Sequence, residues 1–295
     1  MNIKHYLEYL LVQIIASFIR ILPLKAGYWL GERLGDLTYF LLPHYRKRTL
    51  DNLKTAFQTQ LPSQGIEEIA RQTYRNLGKN LIEFIHLPQF VEEGLGSRII
   101  IEGWSHLEAA RARGRGIIIL MAHFGNWELI GSALPLKGCP LSTVVRRQKN
   151  KLTEDLIEAQ RKKIGLTTIS MKRASGEVLR RLKRGETVAM LADQDGGKGG
   201  VFVSFFDKPA STPPGPVIFA MRTGADILPL FVIRLPDNRH RIIIEKPYPL
   251  IQAGDRKQDI LANVASLSKK LEEYIRRYPD QWFWLHNRWA TRMKK

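Results

Sequence analysis

Residues 116–131 read GIIILMAHFGNWELIG. Its five consecutive apolar residues, Ile117–Met121, show no polar alternation, which is the pattern of a strand buried on both faces. The run ends in Ala122 and His123, so a polar side chain is delivered to the carboxyl end of a strand, where open α/β sheets place their ligands. Working outward, six further runs rich in Val and Ile read as strands: 98–103 (RIIIEG), 141–147 (LSTVVRR), 187–193 (TVAMLAD), 200–206 (GVFVSFF), 227–235 (ILPLFVIRL) and 240–247 (HRIIIEKP). Helical stretches at 152–163, 174–184, 214–223 and 257–277 lie between or after them. This alternation predicts an α/β fold with a mixed, mostly parallel sheet flanked by helices. Residues 1–95 read as helical throughout, with apolar residues at helical spacing in 30–42, 50–57 and 66–84, punctuated by Pro23, Pro43, Pro62 and Pro88. No repeat or low-complexity linker divides the chain. We therefore expect residues 1–25 to form a membrane anchor or interfacial helix and 26–295 a single catalytic domain, with a helical lead-in (26–95) and an α/β core (96–295).

Composition narrows the partners. Of the 295 residues, 44% are hydrophobic, ample for a sizeable core, and 46 Lys and Arg against 28 Asp and Glu give a net charge of +18. An anionic partner is expected; nucleic acid, anionic lipid and acidic carrier proteins all satisfy the charge. The single cysteine, Cys139, excludes disulfides within the chain and any multi-cysteine metal site. Residues 6–24, YLEYLLVQIIASFIRILPL, are nearly long enough to span a bilayer, but Glu8, Gln13 and Arg20 interrupt them. With only Lys4 ahead and no small-residue cleavage pattern, they read as a retained segment: a short anchor or a tilted interfacial helix.

The candidate chemistry starts from His123 and Glu128. On a continuous helix a five-residue step rotates by roughly 140°, so the two would not face each other; Gly125 supplies the permissive backbone that allows a turn between them. An imidazole near its own pKa can take the proton of an alcohol as it attacks, and a carboxylate can fix its tautomer and stabilise the imidazolium. Alone, the pair reads as well as a buried histidine and a solvated helix charge. Other residues supply a matching set. Arg146 and Arg147 close another strand, and Arg161, Lys162 and Lys163 follow on the next helix, suited to phosphates, although the two lysines also fit a solvated face. Asp193 and Asp195 end a strand before glycines 196, 197, 199 and 200; a carboxylate there can hold an arginine, or the pair a divalent metal, which proton abstraction by an imidazole does not require. Arg222 and Arg234 border an apolar helix and strand whose apolar faces fit either ordinary core or a hydrophobic channel beside a basic patch. At the C-terminus Trp282, Phe283, Trp284 and Trp289 alternate with His286, Arg288, Arg292, Lys294 and Lys295, which fits a membrane interface or a segment docked into the domain.

Four stretches in order, AHFGNWE (122–128), ADQDGG…VFVSFFDKPASTPPGP (192–216), GADILPLFVIR (224–234) and YPDQWFWLHNRWATR (278–292), resemble the bacterial lipid A biosynthesis acyltransferases of the lauroyl/myristoyl type. The resemblance covers nearly the whole chain. It implies a glycerolipid-acyltransferase-like fold with a membrane-associated N-terminal part, no cofactor or metal, and transfer from acyl carrier protein, or from acyl-coenzyme A, to a hydroxyl of an anionic lipid A precursor. The implied site is the cytoplasmic face of the bacterial inner membrane, with no nucleic-acid partner. It further implies His123 as general base with Glu128 orienting it, Arg161 and Asp193 as a needed polar pair, and Arg146 with Asn150 after the third strand. Arg147 departs from the family, which often has proline there, and adds charge near the acceptor. Rival readings are an acyltransferase with another phospho- or glycolipid acceptor, a basic nucleic-acid binder, and a metal-dependent hydrolase using His123, Glu128, Asp193 and Asp195.

Overall fold

The computed structural model describes residues 3–57, 60–171 and 174–293. Four helices come first: α1 (Ile3–Ile21), α2 (Leu24–Leu41), α3 (Pro43–Phe57) and α4 (Ser63–Glu92). Pro23, Pro43 and Pro62 sit at the expected boundaries, but Pro88 does not end a helix, because α4 runs through it to Glu92 with the loss of one backbone donor. α2 and α4 approach backbone to backbone. Gly27, Gly31 and Gly35 fall four apart on one face of α2, and a Cβ added at Gly78 of α4 would meet Gly31 O at 1.9 Å. In α1 only Ala16 and Ile19 are buried, whereas Leu7, Leu11, Ile14, Phe18 and Ile21 form an exposed stripe at helical spacing. Trp29, Leu37, Phe40 and Leu41 of α2 add to the exposed apolar surface. Among the described residues no helix is long and apolar enough to cross a membrane. The spanning form expected for residues 1–25 is thus not supported; what forms is an amphipathic helix with its apolar stripe outward.

The core is a seven-stranded sheet built from β1 (Ile99–Glu102), β2 (Ile117–Met121), β3 (Leu141–Val145), β4 (Leu166–Ser170), β5 (Thr187–Leu191), β8 (Asp226–Arg234) and β9 (His240–Ile244), in the order β1-β9-β8-β2-β5-β3-β4. Every pairing is parallel except β8 with β9. Flanking it are α5 (Trp104–Ala112), α6 (Ile130–Leu136), α7 (Lys151–Lys163), α8 (Ala174–Lys183), α9 (Gly215–Thr223) and α10 (Arg256–Arg277). β2 is buried on both sides as its composition demands: Ile117, Ile119 and Met121 join Leu129, Leu134 and Leu141 in one core cluster, and Ile118 joins Val178, Val217 and Val264 in another.

All seven expected strands form, with one change of place. Residues 200–206 give β6 (Val201–Phe205), which pairs only with β7 (Lys208–Thr212) in a separate antiparallel hairpin packed on α10. The C-terminal aromatics settle the other alternative: Trp282, Trp284 and Arg288 are 2%, 0% and 1% exposed, so the segment docks into the domain instead of forming a membrane interface. Lys294 and Lys295 of that cluster lie outside the described residues.

Candidate active site

The parallel register of β2 with β5 builds the site. Met121 lies opposite Leu191, so two residues further along each strand His123 meets Asp193 across one interstrand spacing. Asp193 holds the histidine twice: Oδ2 accepts the His123 backbone N–H at 2.9 Å, and Oδ1 pairs with ring Nδ1 at 2.8 Å. A third donor, Trp282 Nε1, reaches Oδ2 at 2.8 Å. Burial pushes the Asp193 carboxyl up, but the charge and hydrogen bonds of His123, with the Trp282 indole, hold it below the usual carboxylate range. An ionised Asp193 makes Nδ1 the protonated nitrogen and leaves Nε2 as the free base. The ring is boxed by Trp127, edge-on at 5.1 Å, and by Phe283, whose backbone N–H donates to His123 O at 2.9 Å.

Gly125 has φ 58°, and a Cβ there would lie 1.8 Å from Val232 O, so the turn after His123 needs glycine for both conformation and space. It leads into a single 3-10 turn, Trp127–Leu129, that carries Glu128. The sequence-based pairing of Glu128 with His123 is corrected here: no hydrogen bond joins them, and Glu128 Oε1 accepts from Arg161 Nη2 at 3.2 Å. Glu128 still faces the same cleft, and its charge adds to the upward push on His123. Arg161 Nε is buried with no partner among the described residues.

The cleft is open to solvent. Ile130, Leu141, Leu166 and Ala189 line its buried end, and Arg146, Gln148 and Arg161 its polar part, where Arg146 and Gln148 are exposed. His123 and Glu128 lie between these regions in character. A second, largely apolar pocket, lined by Leu120, Phe205, Val217 and Leu267, shares Asp193 but not His123. We place the chemistry in the first because it alone contains the imidazole.

Of the remaining expected site residues, Arg146, Arg161 and Asp193 gather here and four do not. Asn150 caps α7 through Leu152 N, and its Nδ2 is spent on His5 O and Glu8 Oε2 of α1. Asp195 accepts from Thr291 N, Thr291 Oγ1 and Gly197 N, so it ties the glycine loop to the C-terminal segment. Arg222 is exposed in the last turn of α9 and does not line the cleft. Arg234 is 7% exposed, makes a two-pronged ion pair with Glu83 at 2.6 and 2.7 Å, and does not line the cleft. Among the described residues no group of three His, Cys, Asp or Glu side chains could hold a metal ion. Sequence reasoning did not assign Trp282 or Phe283 to the site. The signal for the Asp193 contact was present, since both buried strands end alike, in LMAH and MLAD.

Known proteins supply an independent comparison. The family model described as bacterial lipid A biosynthesis acyltransferase matches residues 2–291. The Lipid A biosynthesis palmitoleoyltransferase of Escherichia coli K12 is 27% identical over 275 residues, 92% of this chain and 87% of that protein. The Lipid A biosynthesis lauroyltransferase of the same organism is 25% identical over 292 residues, 98% and 93% of the two chains. The Phosphatidylinositol mannoside acyltransferase of Mycobacterium tuberculosis H37Rv is 28% identical over 220 residues, 72% and 68% of the two. With a match that omits only a few residues at either end, the chain belongs to the bacterial lipid A biosynthesis acyltransferase family.

Proposed function

We propose that this protein transfers a fatty acyl group from the thioester of acyl carrier protein to a hydroxyl of a lipid A precursor, at the cytoplasmic face of the bacterial inner membrane. What supports the reading most directly is His123, fixed by Asp193, in a cleft that is apolar at its buried end and cationic at its exposed one. His123 Nε2 takes the proton of the acceptor hydroxyl while its oxygen bonds to the thioester carbonyl carbon. Asp193 holds the tautomer and stabilises the imidazolium. Collapse of the tetrahedral intermediate breaks the C–S bond, and the imidazolium returns the proton to the departing thiolate. Glu128 acts through Arg161, orienting the guanidinium toward a phosphate of the acceptor, with Arg146 at the exposed rim. The acyl chain occupies the end lined by Ile130, Leu141 and Leu166. The outward stripes of α1 and α2 seat the protein on the lipid surface, a position that also suits its net charge of +18.

A second acceptor class has a specific observation behind it, the 28% identity to a phosphatidylinositol mannoside acyltransferase. One assay separates the readings. Purified protein is incubated with acyl carrier protein and coenzyme A thioesters, against a tetra-acylated lipid A precursor and a mannosylated phosphoinositide, with products read by mass spectrometry. Acylated lipid A precursor is the expected product; acylation of the mannosylated lipid alone would replace the first reading with the second, and no acylation of either would reject both.

A further inference from the structure

A second buried polar cluster lies against the turn that separates His123 from Glu128. Its centre is Glu83 of α4, whose side chain is 1% exposed. Five donors converge on this one carboxylate: Tyr28 Oη at 2.9 Å, Asn126 Nδ2 at 2.6 Å, Arg234 Nη1 and Nη2 at 2.6 and 2.7 Å, and His240 Nε2 at 2.9 Å. Burial pushes the carboxyl up, but the charges and hydrogen bonds of His240 and Arg234 outweigh it and keep it ionised. A buried ion pair contributes little net stability compared with apolar packing of the same volume, so stability alone does not account for it.

Its reach into the site does. Asn126, 1% exposed, stands between His123 and Glu128 in the chain, and its amide is fastened to Glu83. One helical turn earlier on α4, Asn80 donates from Nδ2 to Gly125 O at 2.7 Å and accepts from Arg234 Nη2 at 2.6 Å. Gly125 N–H is taken by Gln281 O at 2.8 Å. The turn is therefore fastened at consecutive residues to one rigid helix and one buried carboxylate. Because Gly125 adopts a left-handed φ, the backbone there is otherwise permissive, and these struts select its one conformation.

We infer that Glu83, acting through Asn126, is a positioning residue for the His123 base: it fixes the turn so that the imidazole meets Asp193 while Glu128 reaches Arg161. This rests on the acyl-transfer reading above. The charged and titratable groups facing His123 are Asp193 from the loop after β5, Glu128 from the turn itself and His286 from the C-terminal segment. A loosened turn withdraws the imidazole from the two carboxylates that raise its pKa.

The test uses full-length Asn126→Ala, which cuts the strut but leaves the other four donors to Glu83 in place. Three quantities are compared with the unaltered protein: the melting temperature, kcat and acceptor KM, and the titration of the His123 imidazole followed by NMR at Cε1–H. A melt within a few degrees, a kcat lowered by about tenfold or more with KM within about twofold, and a titration midpoint moved to lower pH are expected, since small misplacements of a catalytic group are costly. Should Asn126→Ala fail to fold, Asn80→Ala, which leaves all five donors to Glu83 in place but removes the strut to Gly125 and one acceptor of Arg234, carries the same expectation. A folded variant with unchanged kcat and an unshifted His123 titration overturns the inference. If the unaltered protein makes no product, the acyl-transfer reading fails, while the titration still reports on positioning.

Discussion

At His123 opposing influences meet. Burial pushes the imidazole pKa down, whereas the charge and hydrogen bond of Asp193 and the charge of Glu128 push it up, and the outcome lies above the ordinary histidine value. A general base must be neutral to accept a proton, so turnover should fall as pH drops through that raised pKa. The acid limb of the kcat profile is therefore expected to have its midpoint above about 6.5. Glu128→Gln removes one upward push, so the same midpoint should move to lower pH. It also releases Arg161, and KM for a phosphorylated acceptor should rise by about three- to tenfold, the loss of one charge-assisted contact. A pH–rate series with the unaltered protein and Glu128→Gln checks both; an unmoved midpoint would show that the Glu128 charge does not act on the base. The His–Glu spacing made Glu128 conspicuous in the sequence. Asp193, 70 residues from His123, was legible as a site residue but not as the histidine's partner, because spacing reports neighbours along the chain and this contact is made across a sheet.

Elements place these residues, and their legibility follows from how they are buried. β2, β5 and β8 were plain in the sequence because strands covered on both faces must be continuously apolar. β4 and β7 were not: LTTIS is partly exposed at the sheet edge, and KPAST carries a proline and lies in the separate hairpin. The four-residue glycine spacing in α2 has no such signature, since small residues leave no mark on an apolar periodicity. It matters to the helical lead-in. A Cβ at Gly78 would sit 1.9 Å from Gly31 O, so Gly78→Ala must push α2 from α4. We expect that substitution to cost about 1–3 kcal/mol, the range for overpacking a close contact. Thermal or urea unfolding measures it, and a variant as stable as the unaltered protein would mean that the two helices do not pack this closely.

On the scale of the whole molecule, an outward apolar stripe and a net charge of +18 act together. In the proposed membrane-bound state the stripe inserts at headgroup depth, and basic residues near an anionic surface add about 1 kcal/mol each. Replacing Leu11 and Phe18 with glutamate should reduce co-sedimentation with anionic vesicles by about tenfold or more, given the apolar area withdrawn, and leave turnover of detergent-dispersed acceptor within about twofold. Unchanged sedimentation would place the lipid contact elsewhere. The same outward-facing α1 is joined through Asn150 to the start of α7, whose Arg161 lines the cleft, so the helix proposed to meet lipid packs against an element of the site. Whether His123 is the base and Asp193 the carboxylate that holds it is decided by kcat of Asp193→Asn in protein shown to be folded. A loss of about 10²–10⁴ is expected, the usual contribution of a general base; near-normal turnover in Asp193→Asn would contradict it.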